Sequence, residues 1–244
     1  MKARYSARWV GEILPSVAVT LLIAALPAHA EFISFEQNVS IGDGTLFYNG
    51  AGGPLVGTDI AFDFVQGIGT PNLGTLVCGT TDGLFVTLNP CLLTFETGNL
   101  TSDTGDELTW AGNAVFGSFE LVGGLVDTFT LTQISADGST LLSGQITTAS
   151  LEDAGFGQWE AGLGGLDIKD ADLVEFFYGG GGPDDFRYVN SELVISGIGD
   201  PSNGFDTAVD QADVVNSRLV VPEPGSALLL LLGLGSLAAY RRRS

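Results

Sequence analysis

Carboxylates dominate the side chains of this chain that could do chemistry: 29 Asp and Glu stand against 9 Lys and Arg and one histidine. Two tight clusters, Asp103-Thr104-Gly105-Asp106-Glu107 and Asp167-Ile168-Lys169-Asp170-Ala171-Asp172, carry the oxygen ligands that calcium requires in sets of six to eight. Asp167, Asp170 and Asp172 are the candidate calcium ligands, although neither cluster has the spacing of a helix-loop-helix calcium loop. The competing reading is a solvated acidic turn on a very acidic protein, and no other metal or cofactor is expected. The pairs Glu152 with Asp153 and Asp184 with Asp185 have the residue types of glycoside hydrolysis, which needs two carboxyl groups about 5 to 9.5 Å apart. Neighbours along a strand point to opposite faces, so adjacency does not build such a pair. Lys169 as the base of a Ser-Lys system is disfavoured, because the surrounding carboxylates would hold it charged. Trp110, Trp159 and Tyr178 have the flat faces that stack on sugar rings, but aromatics of this kind also serve as core or rim packing.

What is missing narrows the chemistry further. The one histidine is His29, inside a stretch that reads as a removable leader. A mature chain without histidine has no Ser-His-Asp or Cys-His nucleophile system and no usual His-containing zinc site, so no catalytic residue is assigned. Cys78 and Cys91 are the two cysteines, and in an exported domain the default is a disulfide between them. The Asp82-Gly83 turn lies between them and brings neighbouring strands together. Their spacing fits no metal-ligand pattern.

The elements that must position these groups read as short strands. Phe32 to Glu36 and Ile60 to Val65 alternate apolar and polar residues at period two, with β-branched and aromatic side chains enriched. Similar stretches follow at Leu84 to Leu88, Leu92 to Phe95, Ala114 to Val122, Val126 to Ile134, Leu141 to Thr148, Tyr188 to Ile195 and Val214 to Val220. Gly42-Asp43-Gly44, Asp82-Gly83, Gly123-Gly124 and Asp137-Gly138 punctuate them as turns, and Asp200-Pro201-Ser202-Asn203-Gly204 is a surface turn. Leu166 to Tyr178 suits a strand or a short helix, and strand is the expectation. Gly179-Gly180-Gly181-Gly182-Pro183 reads as a loop within one domain. The pattern predicts an all-β fold, a single antiparallel β-sandwich or jelly-roll-like domain over residues 31–220. Its apolar share, 45% for the chain, suffices for a core despite the acidity. Between Glu31 and Val220 the cations are Lys169, Arg187 and Arg218 against 27 acids. That field repels phosphate backbones, so nucleic acid is not a partner.

Both termini carry targeting patterns. Lys2, Arg4 and Arg8, the apolar run Val17 to Leu26 and the small-x-small site Ala28-His29-Ala30 form a secretory signal peptide over 1–30, read by the Sec machinery and cut by signal peptidase near Glu31. At the other end, Val221-Pro222-Glu223-Pro224 precedes an apolar run from Ala227 to Tyr240 and the cluster Arg241-Arg242-Arg243. Fourteen residues of helix cover about 21 Å, short of a hydrocarbon core of about 30 Å. The run is therefore a marginal membrane helix, and the arginines orient its end to the cytoplasm. Pro222 and Pro224 keep the segment before it extended.

This order of motif, apolar run and arginines resembles the PEP-CTERM sorting signal of Gram-negative bacteria, whose processing enzyme is the membrane-embedded exosortase. The resemblance implies that Val221, Pro222, Glu223 and Pro224 form the sorting motif and that Arg241, Arg242 and Arg243 retain the tail in the membrane. It implies an exported protein held transiently in the inner membrane, then released to the cell surface or extracellular matrix. The expected function is a non-enzymatic surface or matrix protein associated with exopolysaccharide or biofilm. The alternatives are a carbohydrate-binding module and a histidine-independent glycan hydrolase or lyase.

Overall fold

The computed structural model describes residues 31–37, 44–112, 117–179 and 186–218. The expected leader, the sorting tail with its expected membrane helix, and Asp184 with Asp185 lie outside the described residues. Alternation of apolar and polar side chains becomes alternation of buried and exposed ones: Cys91, Leu93 and Phe95 point inward between exposed or half-buried neighbours. Strands of this pattern need a second apolar face to cover the first, and here one sheet supplies both by closing on itself.

Among the described residues thirteen strands make eight staves. The first is β1 (Phe32–Glu36) followed end to end by β2 (Thr45–Tyr48), and the second is β3 (Pro54–Phe62) followed by β4 (Phe64–Ile68). The third is β5 (Thr75–Thr81) continued by β7 (Cys91–Asp103), with β6 (Val86–Leu88) folded back on β5 as a hairpin flap. β8 (Glu107–Ala111) and β9 (Ser118–Asp127) form the fourth. β10 (Thr132–Gly155), β11 (Gln158–Lys169), β12 (Phe186–Ser196) and β13 (Phe205–Arg218) complete the set. Each stave pairs antiparallel with the next in sequence, and β13 pairs back onto β1, with Phe32 opposite Ser217, and onto β2, with Phe205 opposite Tyr48. The fold is thus an antiparallel up-and-down barrel. The expected sandwich or jelly roll shares its strand pattern and turn chemistry with this arrangement. What separates them is pairing between the two ends of the chain, which no local signal carries.

Three punctuation signals act differently from expectation. Gly123 and Gly124 make no turn but lie inside β9, where a Cβ on Gly123 would sit 2.7 Å from Cys91 Sγ. Glycine here permits close approach. Asp137-Gly138 is an irregularity inside β10, between the pairs Ser135–Leu125 and Ser139–Gly123. The expected strand Val126 to Ile134 is broken at residues 128–131, where Asp127 Oδ1 accepts from Phe129 N at 2.9 Å and Oδ2 from Thr130 Oγ1 at 2.8 Å. An aspartate side chain does the turning that glycine or proline signals elsewhere.

The barrel has two rims. One, here the exit rim, collects Phe32, Ile68, Thr75, Asp127, Thr132, Lys169, Phe186 and Arg218, the last described residue. The far rim collects the tight turns, including a hairpin of Phe156 (φ +56°) and Gly157 (φ +77°). The interior is packed: a void of about 10 Å³ remains among Phe119, Leu142, Ile146 and Val214.

Candidate functional site

The exit rim is closed by helix α1 (Ala171–Tyr178) on the β11–β12 connection. Residues 166–178, expected as a strand, divide at Asp170. Its Oδ1 accepts from the backbone N of Asp172 and of Leu173, both at 3.0 Å, and from Ser135 Oγ at 2.9 Å. An aspartate N-cap satisfies the free N–H groups of a first turn. Leu173, Val174 and Phe177 are buried, and Gly179, with φ +64°, ends the helix by donating to Glu175 O at 2.7 Å. Asn72 fastens the helix end to the β4–β5 loop, its N donating to Phe177 O and its Nδ2 to Phe176 O, both at 3.0 Å.

Next to this helix β11 reverses the usual pattern. Leu166 and Ile168 face solvent, Ile168 at 63% exposure, while Asp167 and Lys169 are buried. Lys169 Nζ donates to both Asp167 oxygens, at 3.1 and 2.9 Å, and Asn216 Nδ2 donates to Asp167 Oδ2. Burial raises the Asp167 pKa against the pull of Lys169, and burial lowers Lys169 to about 8 against the pull of Asp167. Each partner pays desolvation that the other offsets, the general condition of a buried ion pair.

This geometry disperses the calcium candidates. Asp167 is committed to Lys169 and Asn216, Asp170 caps α1, and Asp172 is exposed in the first helical turn. Among the described residues no group of three or more His, Cys, Asp or Glu could hold a metal ion. Asp103, Asp106 and Glu107 lie in the exposed β7–β8 turn, where Asp103 Oδ1 accepts from Gly105 N at 2.9 Å. Glu152 and Asp153 are successive residues of β10. Trp110 is 3% exposed and gives its Nε1–H to Gly53 O at 3.1 Å, with Tyr48 packed edge-on at 5.3 Å. Trp159 and Tyr178 are half-buried against the core. Trp110 is therefore a core residue, and the three aromatics form no common sugar platform.

The disulfide is present, with Cα atoms 5.5 Å apart. The Asp82-Gly83 turn pairs β5 with β6, as expected, and the bridge closes the base of that hairpin, between consecutive segments of one stave. β5 leaves the barrel at Cys78, the flap follows, and β7 re-enters at Cys91. Closing a loop of this size stabilises by about 3 kcal/mol on a chain-entropy basis.

The sequence did not single out a groove of about 970 Å³ on the outer face of β7, β9, β10 and β11. Thr94 pairs with Glu120 and Glu96 with Ser118, so both glutamates share that face. Ser143 and Gln145 continue the same rows on β10, and Leu166 and Ile168 close them on β11. The floor is hydroxyl, amide and carboxylate, and the wall is aliphatic. Such a surface can hydrogen-bond a polyhydroxylated chain laid across the strands. The signal for it was the reversed pattern at Leu166-Asp167-Ile168-Lys169, which reads as an acidic cluster until the strand is placed.

Among the described residues no helix is long and apolar enough to cross a membrane. No curated protein and no solved structure matches the chain. The family match covers the tail and none of the barrel. Residues 220–244 match the PEP-CTERM protein-sorting motif, and the chain therefore carries, just beyond its last described strand, the sorting signal of an exported protein targeted to an exosortase.

Proposed function

We propose that the barrel is the non-enzymatic cargo of this tail. The leader takes the chain through the Sec machinery, signal peptidase cuts it, and the tail holds it in the inner membrane until exosortase acts near Pro222. The product then stays at the cell surface or in the extracellular matrix, against exopolysaccharide, as a component of a biofilm. The observation that carries this reading is the sorting motif over 220–244.

The outer groove supports the polysaccharide part, because its hydroxyl, amide and carboxylate side chains match a sugar polymer's hydrogen-bonding groups. Among the three cations of the mature span, Lys169 is buried and neutralised, so the acidic surface favours a neutral polymer over an anionic one. Intact-mass measurement on protein from wild-type and exosortase-lacking cells tests the sorting reading. A shorter product in wild type alone is expected, and an identical tail-bearing mass in both overturns it. Pull-down on neutral exopolysaccharide tests the groove. Binding lost in E96A/E120A is expected, and equal retention of parent and variant removes the groove from the reading. Shortening of the polymer on incubation would make the protein an enzyme.

A further inference from the structure

The exposed large apolar side chains are not spread evenly. Phe47 and Phe156 lie at the far end, whereas Ile68, Leu73, Phe129, Leu166 and Ile168 lie on the exit rim or the strand ends feeding it. The flap adds Leu84, Phe85 and Leu88 on the same half, since it leaves the third stave four residues above the rim and its Thr81 N donates to Gln133 Oε1 near the base of β10. Leu73 and Phe129, 71% and 94% exposed, occupy neighbouring loops, because Leu76 of β5 pairs with Asp127 of β9. The Phe129 loop is held by the Asp127 carboxylate, so the ring is presented on a fixed turn.

Charge divides the exit end itself: Asp172 and Glu175 on α1 are exposed, whereas the staves built from residues 64–95 are nearly without charge. From Phe64 to Phe95 the sequence holds a single ionisable residue besides its cysteines, Asp82, in a mature span with 27 acids. That stretch builds the end of the second stave, the third stave up to Phe95, and the flap. The barrel thus has an apolar, charge-poor sector at the rim from which Arg218 leads into the tail. Eight residues separate Arg218 from Ala227, where the apolar run of the tail begins, and at full extension the nine Cα-to-Cα steps span at most about 30 Å.

We propose that this sector, with Leu73 and Phe129 at its tips and Leu84, Phe85 and Leu88 on the flap, rests on the outer surface of the lipid bilayer while the tail is in place. This rests on the reading of the tail as a membrane anchor. The contact is apolar and not electrostatic: the acidic remainder of the barrel is repelled by anionic headgroups, and the charge-poor sector is the orientation of least repulsion. Aromatic and aliphatic tips of this kind seat in the headgroup boundary.

The test uses the full chain reconstituted into vesicles of phosphatidylcholine containing brominated acyl chains, carrying either F129W or F156W, with the parent chain supplying the background of its own tryptophans. Flotation with the vesicles reports the anchor itself. Given flotation, F129W emission is expected to shift to the blue and to be quenched by the brominated lipid, with F156W unaffected. Replacing part of the lipid with phosphatidylglycerol should weaken F129W quenching at low salt, and raising the salt should restore it, the opposite of a basic-patch contact. Three results overturn the proposal: equal quenching of both reporters, no quenching of either in floated protein, or an F129W blue shift that grows with protein density without quenching, which would mark contact between copies. Failure to float overturns the anchor reading instead.

Discussion

The two ends of the barrel solve one problem, sealing an apolar interior, by opposite means. The far end is shut by aromatic side chains of its own staves: Tyr48 lies 5.3 Å from Trp110 and 6.1 Å from Phe205, and Trp110 bonds to the Gly53 carbonyl of the adjacent turn. The exit end is shut by an inserted helix, with a charged pair and an asparagine buried close by. Aromatic rings need only area and one hydrogen bond to be content in a core. An ion pair is content only while both members and their polar neighbours remain. The far end should therefore tolerate loss in proportion to the area removed, and the exit end should fail abruptly when one partner goes.

The largest effect expected is K169M, which strands Asp167 without its cation and costs about 3–5 kcal/mol; chemical denaturation measures it. D167L/K169M should recover most of that loss or exceed the parent. Trp110→Ala should cost about 3–5 kcal/mol through lost area, with no second-site change of charge to restore it. If D167L/K169M is as unstable as K169M alone, the contrast between the ends is lost.

A smaller effect separates the caps. D170A removes the N-cap of α1 and the Ser135 contact, for about 1 kcal/mol. D200A removes one bond, to Ser202 N at 3.0 Å in the far-rim turn Pro201–Asn203, and should cost less. Hydrogen exchange at Leu173 against Ser202 would rank them.

The pH dependence sharpens the comparison by its sign. Lys169 falls from 10.5 to about 8 in the folded protein because burial disfavours its charge. Between those values the unfolded chain holds a proton that the native state has released, so stability from this group rises as pH climbs through that window. Below it both states are protonated and the contribution is constant. K169M should flatten the slope in this window, whereas Trp110→Ala should leave it. Smallest of all is F156S at the far hairpin tip, which touches nothing inside and should move stability by less than about 0.5 kcal/mol.

Strands were legible wherever one face met the core, as at Phe32 to Glu36 and Leu92 to Phe95, because period two records which side is wet. Legibility stopped where a side chain did a backbone residue's work. Asp127 turns the chain without glycine or proline, and Gly123 and Gly124 sit in a strand to let Cys91 approach. It stopped again at residues 166–178, where inward charges and outward aliphatics inverted the expected face and a capped helix followed within two residues. The groove with Glu96 and Glu120 was invisible because its rows run across four staves, and cross-strand register is a property of pairing and not of any one segment.

Composition, strand pattern and the C-terminal sorting signal were readable from the sequence alone: an acidic, exported, β-rich chain with a sorting tail and with its cysteines joined. These are local or additive properties, carried by a few adjacent residues or by totals. Tertiary structure alone decided that the sheet closes through β13 and β1, that Asp167 and Lys169 face inward while Leu166 and Ile168 face out, and that the apolar tips gather at the rim from which the tail departs. Each depends on contacts between residues far apart in the chain, whose free energy no short segment contains.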